Sequence, residues 1–172
     1  MATKSVEMLT LEGAKIAVAA AEKKAKKLGI DMNIAVVDAS THLLHFSRMP
    51  NAKITSISIA MDKAFTAAGH RIGTHLYKEA VWPGGVAYGL GNSNGGRFTT
   101  FGGGLPIFNA KGEAIGGIGA STGTPAQDQE VVQAGVDALE EHLRTEGPKI
   151  KAKLYMELHG EKRGFRYEIR LL

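Results

Sequence analysis

The chain has no cysteine. Disulfides, thiolate nucleophiles and Cys-ligated metal centres are therefore excluded. No apolar run approaches the roughly 18 residues that cross a bilayer, so a membrane span is not expected. The segment Met1–Glu7 is short and polar, with no apolar stretch after Lys4. It does not read as a signal peptide, and a cytoplasmic location is expected. Gly-Lys-Ser/Thr never follows a glycine run, and no G-x-G-x-x-G joins a strand to a helix. The phosphate loop and the dinucleotide fingerprint are thus missing. H-E-x-x-H is missing too, and Ser121 and Thr122 lack the context of a nucleophile elbow.

A basic face is also lacking. The net charge is +4, but residues 146–172 hold seven basic and four acidic side chains. That segment carries most of the excess, and the rest is nearly neutral. Phosphate backbones demand a concentrated basic footprint, so nucleic acid is not an expected partner. At 172 residues and 44% hydrophobic content, the chain suffices for one domain with its own core.

What is present reads as alternating helices and hairpins. Thr10 caps a predicted helix to about Leu28, with Glu12 in its first turn and four lysines near its end, ahead of Gly29. Ile34–Val37 and His42–Met49 flank a polar turn and predict a hairpin. Asn51 is the expected cap of a second helix, Ala52 to about Ala68. Ile54, Ile57, Met61, Ala64, Phe65 and Ala68 would face its core. From Gly69 to Gly104 glycines crowd a loop-rich stretch. Long ordered loops in small domains are usually functional. Leu105–Asn109 and Ala114–Ala120 predict a second hairpin. Thr124-Pro125-Ala126-Gln127 reads as a capping box opening a third helix that ends near Arg144. Gly147-Pro148 marks a linker. Beyond it, apolar residues from Ala152 to Leu158 and from Phe165 to Leu171 alternate with charged ones, predicting a third hairpin. The boundaries expected are a domain over 1–145 and a linker with C-terminal hairpin over 146–172.

Several stretches then fall into a familiar order. They are Ile34-Ala35-Val36-Val37-Asp38, Arg48-Met49-Pro50-Asn51-Ala52, Asp62-Lys63-Ala64-Phe65-Thr66-Ala67-Ala68, Pro83-Gly84-Gly85, Phe101-Gly102-Gly103-Gly104-Leu105-Pro106, Gly117-Ile118-Gly119-Ala120-Ser121 and Thr124-Pro125-Ala126-Gln127-Asp128. Together, from about Leu9 to Leu143, they resemble the GlcG/HbpS-like family (DUF336, also met as the PduO C-terminal domain). Asn51 stands where that family usually has Asp. The resemblance implies an α/β (α+β) profilin-like fold, with a central antiparallel sheet of about five strands and packed helices. It implies a homo-oligomer, a dimer or larger. Functionally it implies a small-ligand binding protein whose ligand is a tetrapyrrole, haem first and a corrinoid second.

Candidate residues follow from that setting. Iron needs an imidazole or similar donor at an open pocket, and His70 and His75 stand at the start of the loop-rich stretch. Arg48 or Lys63 would meet carboxylate groups such as propionates. Trp82 and Phe101 would wall an apolar pocket. Gly84, Gly85, Gly102, Gly103 and Gly104 would offer backbone N–H groups to an anion, with Ser121 nearby. Asp62 and Lys63 are equally a helix-to-loop clamp. An alternative assignment is an enzyme acting on a carboxylate or aromatic acid, with Asp62, Lys63 or His70 moving a proton. Another is a structural or assembly subunit that docks through the C-terminal hairpin.

Overall fold

The computed structural model describes residues 1–159, with side-chain surroundings through Thr145. Met1–Glu140 forms one compact unit and the chain from Glu141 a second. The first unit holds the sheet.

Helix α1 spans Leu11–Lys27. The Thr10 hydroxyl accepts the Gly13 N–H, Glu12 sits in the first turn, and Lys24, Lys26 and Lys27 close the last. This is the capping and charge order the sequence predicts. Strands β1 (Asn33–Asp38) and β2 (Leu43–Arg48) form the first hairpin, and β3 (Gly104–Phe108) and β4 (Ala114–Ser121) the second. They join in one antiparallel sheet of order β2-β1-β4-β3. Four strands are therefore present among the described residues, where about five are expected. The Leu9 N–H does bond to Ile115 O, but no ladder grows from it.

Every residue of β1 is buried, because helices cover both faces of the sheet. Ile34, Val36 and Ile118 pack with the alanines of α1 and with Val131, Val132, Val136 and Leu139 of the third helix. On the other face, Ala35 and Val37 meet Ala60, Ala64 and Ala68 of α2 (Ser56–His70). The closeness of α2 depends on Gly119. A Cβ there would lie 2.2 Å from Ala60 O and 2.5 Å from Ala64 N. Both are helix backbone atoms and cannot step aside.

That contact explains two corrections to the second helix. Its buried face is Ala60, Lys63, Ala64, Ala67 and Ala68, whereas Ile57, Met61 and Phe65 are only half-buried and Ile54 is exposed. The helix turns small residues to the sheet because nothing larger fits over a glycine strand. It also begins at Ser56 and not at Ala52. Asn51 is not its cap: its backbone N–H and side-chain amide both donate to Asp31 Oδ2, at 2.9 and 2.8 Å.

Helix α3 spans Pro125–His159. Its capping box is formed as predicted, with the Thr124 N–H donating to Gln127 Oε1 at 2.9 Å and the Gln127 N–H to Thr124 Oγ1 at 3.3 Å. It does not stop near Arg144, and the expected linker at Gly147-Pro148 is helical. So is Ala152–Leu158, the expected first strand of a C-terminal hairpin. Lys, Ala, Leu, Met and Glu dominate that stretch, and their helix propensity overrides an alternating pattern. The second strand, Phe165–Leu171, lies outside the described residues. No described helix is long and apolar enough to cross a membrane.

Replacing Gly119 with Ala is expected to cost about 2 kcal/mol or more by overpacking, read as a lower urea midpoint. Thr124→Ala should cost only about 1 kcal/mol, the usual value of an N-cap.

Candidate functional site

Lys63 lies on the stripe of α2 that otherwise carries alanines. Its side chain is completely buried. The ammonium donates to Asp128 Oδ2 at 2.7 Å and to Ala120 O at 3.0 Å. Asp128, from the first turn of α3, is 2% exposed, and its Oδ1 accepts the Gly123 N–H at 3.0 Å. The pair joins the layer on one face of the sheet to the layer on the other. Burial pushes the Lys63 ammonium below the usual lysine range, and Asp128 opposes that shift. Burial likewise raises the Asp128 carboxyl, while Lys63 and the Gly123 N–H pull it down.

The turn Gly102–Gly104 packs on this pair. Gly103 has φ +111°, and a Cβ there would lie 2.5 Å from Asp128 Cβ and 2.8 Å from Lys63 Nζ. Only glycine meets both demands. Two amides of this turn are already engaged. Gly103 N–H donates to Gln129 Oε1 at 3.0 Å and Gly104 N–H to Thr74 Oγ1 at 2.9 Å. The expected anion cradle is therefore not offered by these two amides. At the other glycine pair, Gly85 N–H donates to Trp82 O in a tight turn and Gly84 takes φ +87°.

Phe101 lies just before the glycine turn. The Lys63 ammonium sits 4.7 Å from its ring centroid, a cation–π contact. The ring is 47% exposed. It helps wall a cleft of about 320 Å³ lined by His75, Lys78, Thr100, Phe101, Gly102, Pro125, Ala126 and Gln129. The cleft joins the 3₁₀ turn Thr74–Leu76, the end of the glycine-rich stretch and the first turn of α3. Its lining holds an imidazole and an ammonium but no carboxylate. A roomier hollow of about 500 Å³, beside Lys26, Asp31, Asn51 and Thr122, has neither histidine nor aromatic wall.

The structure brings His75, Phe101 and Gly102 together at this cleft, with Lys63, Gly103 and Gly104 behind it. His70 is exposed, but its Nδ1 is 2.7 Å from the Tyr77 hydroxyl and its ring packs on Phe98. Tyr77 is buried, and desolvation raises its phenol above the usual range. Asp62 is engaged by Arg97 Nε at 3.0 Å, and the Thr66 hydroxyl accepts the Thr99 N–H at 2.9 Å. These bonds tie α2 to the Arg97–Thr99 segment. Arg48 is exposed at the end of β2. Strands β1 and β4 stand between it and Gly104, a separation of about 14 Å at normal strand spacing. Trp82 is 57% exposed and does not line the cleft. Ser121 is buried opposite Asn33 on the α2 side of the sheet. Among the described residues, no three His, Asp or Glu side chains gather as a metal site requires.

Sequence reasoning missed Lys78, Thr74, Asp128 and Gln129. A signal existed for Asp128. A lysine at position 63, between Ala60, Ala64 and Ala67, must be buried, and a buried ammonium requires an acid.

Residues 9–137 match the family described as haem degrading protein HbpS-like. The chain belongs to that family. It is 37% identical over 139 residues to an uncharacterized 15.0 kDa protein of the dhaT-dhaS intergenic region of Citrobacter freundii, across 81% of this chain and 97% of that protein. Among solved structures it resembles Klebsiella pneumoniae protein ORFY, with TM-score 0.79 and 37% identity over 81% of this chain and 95% of that one. It also resembles PduOC, solved as a haem complex, with TM-score 0.73 and 33% identity over 76% and 94% of the two chains. The resemblance expected from the motifs thus holds, and the four-stranded sheet with its helices is a member of this HbpS-like fold.

Lys63→Met alone leaves Asp128 buried without a counter-charge and is expected to cost about 3–5 kcal/mol. Lys63→Met combined with Asp128→Asn should recover much of that loss. Urea unfolding of the two variants checks the ordering.

Proposed function

We propose that this protein binds a planar tetrapyrrole, haem before corrinoid, in the cleft of His75, Lys78 and Phe101. The observation that carries the reading is the joining of an exposed imidazole, an exposed ammonium and a flat apolar ring in one cleft free of acidic groups. These groups fit haem. An imidazole is an axial donor to iron, an aromatic face stacks on a macrocycle, and a lysine neutralises a propionate. Membership in an HbpS-like family and the haem-bound PduOC relative support the same ligand. Haem, when bound, supplies redox-active iron. The chain supplies the donor, the wall and the counter-charge. A cleft of about 320 Å³ would take in part of a macrocycle.

Two assignments change from the sequence expectation. Lys78 replaces Arg48 and Lys63 as the partner of the propionates, because Arg48 stands across the sheet and Lys63 is buried. His75 is preferred to His70 as iron donor, because His70 Nδ1 already faces Tyr77. The enzyme reading loses ground, since Asp62 and Lys63 are both held by structural partners.

Native mass spectrometry with added hemin tests the proposal and reads the subunit number. One hemin per chain with a Soret shift is expected. His75→Ala should weaken binding by at least about tenfold, an axial ligand being worth more than about 1.4 kcal/mol. His70→Ala should change it much less. Binding that never saturates, or equal binding by the His75 variant, would sink the assignment.

A further inference from the structure

The buried ion pair lies directly behind the cleft. The inner face of Phe101 rests over the Lys63 ammonium, at 4.7 Å. The same ammonium is fixed from two other directions by Asp128 Oδ2 and Ala120 O. Gly103, two residues after Phe101, packs against both members of the pair and is tied to Gln129, which also lines the cleft. Ala120 N–H in turn donates to Gly103 O at 2.8 Å. Phe101 therefore stands on an ammonium held by two hydrogen bonds. A phenyl ring that is 47% exposed and follows a loop would otherwise have several rotamers open to it.

We infer that Lys63 is a positioning residue of the cleft: it holds Phe101 by its inner face, so that the outer face is presented as a preset wall to a planar aromatic macrocycle. The macrocycle as ligand rests on the function proposed above. The positioning of the ring does not. Asp128 shares the role, because its 2.7 Å contact holds Lys63 Nζ in place under the ring. Preset walls favour binding by removing the ordering cost of a loose side chain. The class of ligand recognised by this wall is a flat, conjugated ring system, whether or not it carries a metal.

The test pairs two readouts. The first needs no ligand. Aromatic NMR of the full chain should show Phe101 ring signals displaced from random-coil positions, and a slowly exchanging Gly103 amide. In Lys63→Met/Asp128→Asn, which removes the charge without leaving one unpaired, the ring signals should move to random-coil positions while the β1 and β2 amides keep their shifts. Unchanged ring signals in that variant would overturn the inference whatever the protein binds.

The second readout uses hemin and metal-free protoporphyrin IX. The double variant should bind both about tenfold more weakly. His75→Ala should weaken hemin only, since protoporphyrin has no iron to ligate. Phe101→Leu should match the double variant, and adding the double variant to Phe101→Leu should cost nothing more, as expected when one residue acts through another. Additive losses would overturn the inference and leave Lys63 a purely structural residue. Absence of binding by the unaltered protein would overturn the tetrapyrrole reading, and the ring signals would still decide the positioning role.

Discussion

A lysine ammonium with no exposed surface is the constraint around which this domain is arranged. Lys63 reaches from one helical layer, and Asp128 reaches from the other. Each is costly to bury alone, and their charges offset one another only at close range. The 2.7 Å contact thus requires the two layers to approach at one end of the sheet. Nothing bulky can intervene there. Gly103 meets that requirement on the strand side, and the capping box of α3 meets it by fixing where Asp128 enters. The carboxylate even contributes to that turn, by accepting the Gly123 N–H.

The same economy of volume governs the α2 face. Ala60, Ala64 and Ala68 oppose a strand whose α2 side is formed by Gly117 and Gly119. The opposite side of that strand carries Ile118 and Ala120 against larger partners. The sheet is consequently asymmetric. One face packs apolar bulk in the ordinary way, and the other packs backbone against backbone. The asymmetry lets a lysine share a helix stripe with alanines, because its long stem runs out beyond the glycines toward Ala120 O.

Much of this arrangement is readable in the sequence. Local chemistry gives α1 with its Thr10 cap, both hairpins and the box at Thr124, since each depends on neighbours in the chain. Where the reading fails, distant contacts decide. Asn51 has the chemistry of a cap but finds Asp31 instead. Ile57, Met61 and Phe65 have the spacing of a core face, yet the glycines of β4 leave room only for smaller residues. Ala152–Leu158 alternates like a strand but consists of strong helix formers. Of the candidate site, His75, Phe101 and the Gly102–Gly104 turn are visible as types in a suspect stretch. Their shared cleft is not visible, because Lys78 and Gln129 join it through the fold and carry no motif of their own. The glycine amides look free in sequence and are occupied in the structure by Thr74 and Gln129, two ordinary polar residues far away in the chain.

That occupation divides the labour between scaffold and recognition. With the amides of Gly103 and Gly104 committed to holding the turn, the polar and aromatic groups that the cleft leaves on its rim are the side chains of His75, Lys78, Thr100 and Phe101. Of these, His75, Lys78 and Phe101 are exposed, and none of the four belongs to the buried core. Substitutions at the rim are therefore expected to cost little in folding. An arrangement of this kind lets the rim vary in chemistry while the frame that carries it keeps its packing.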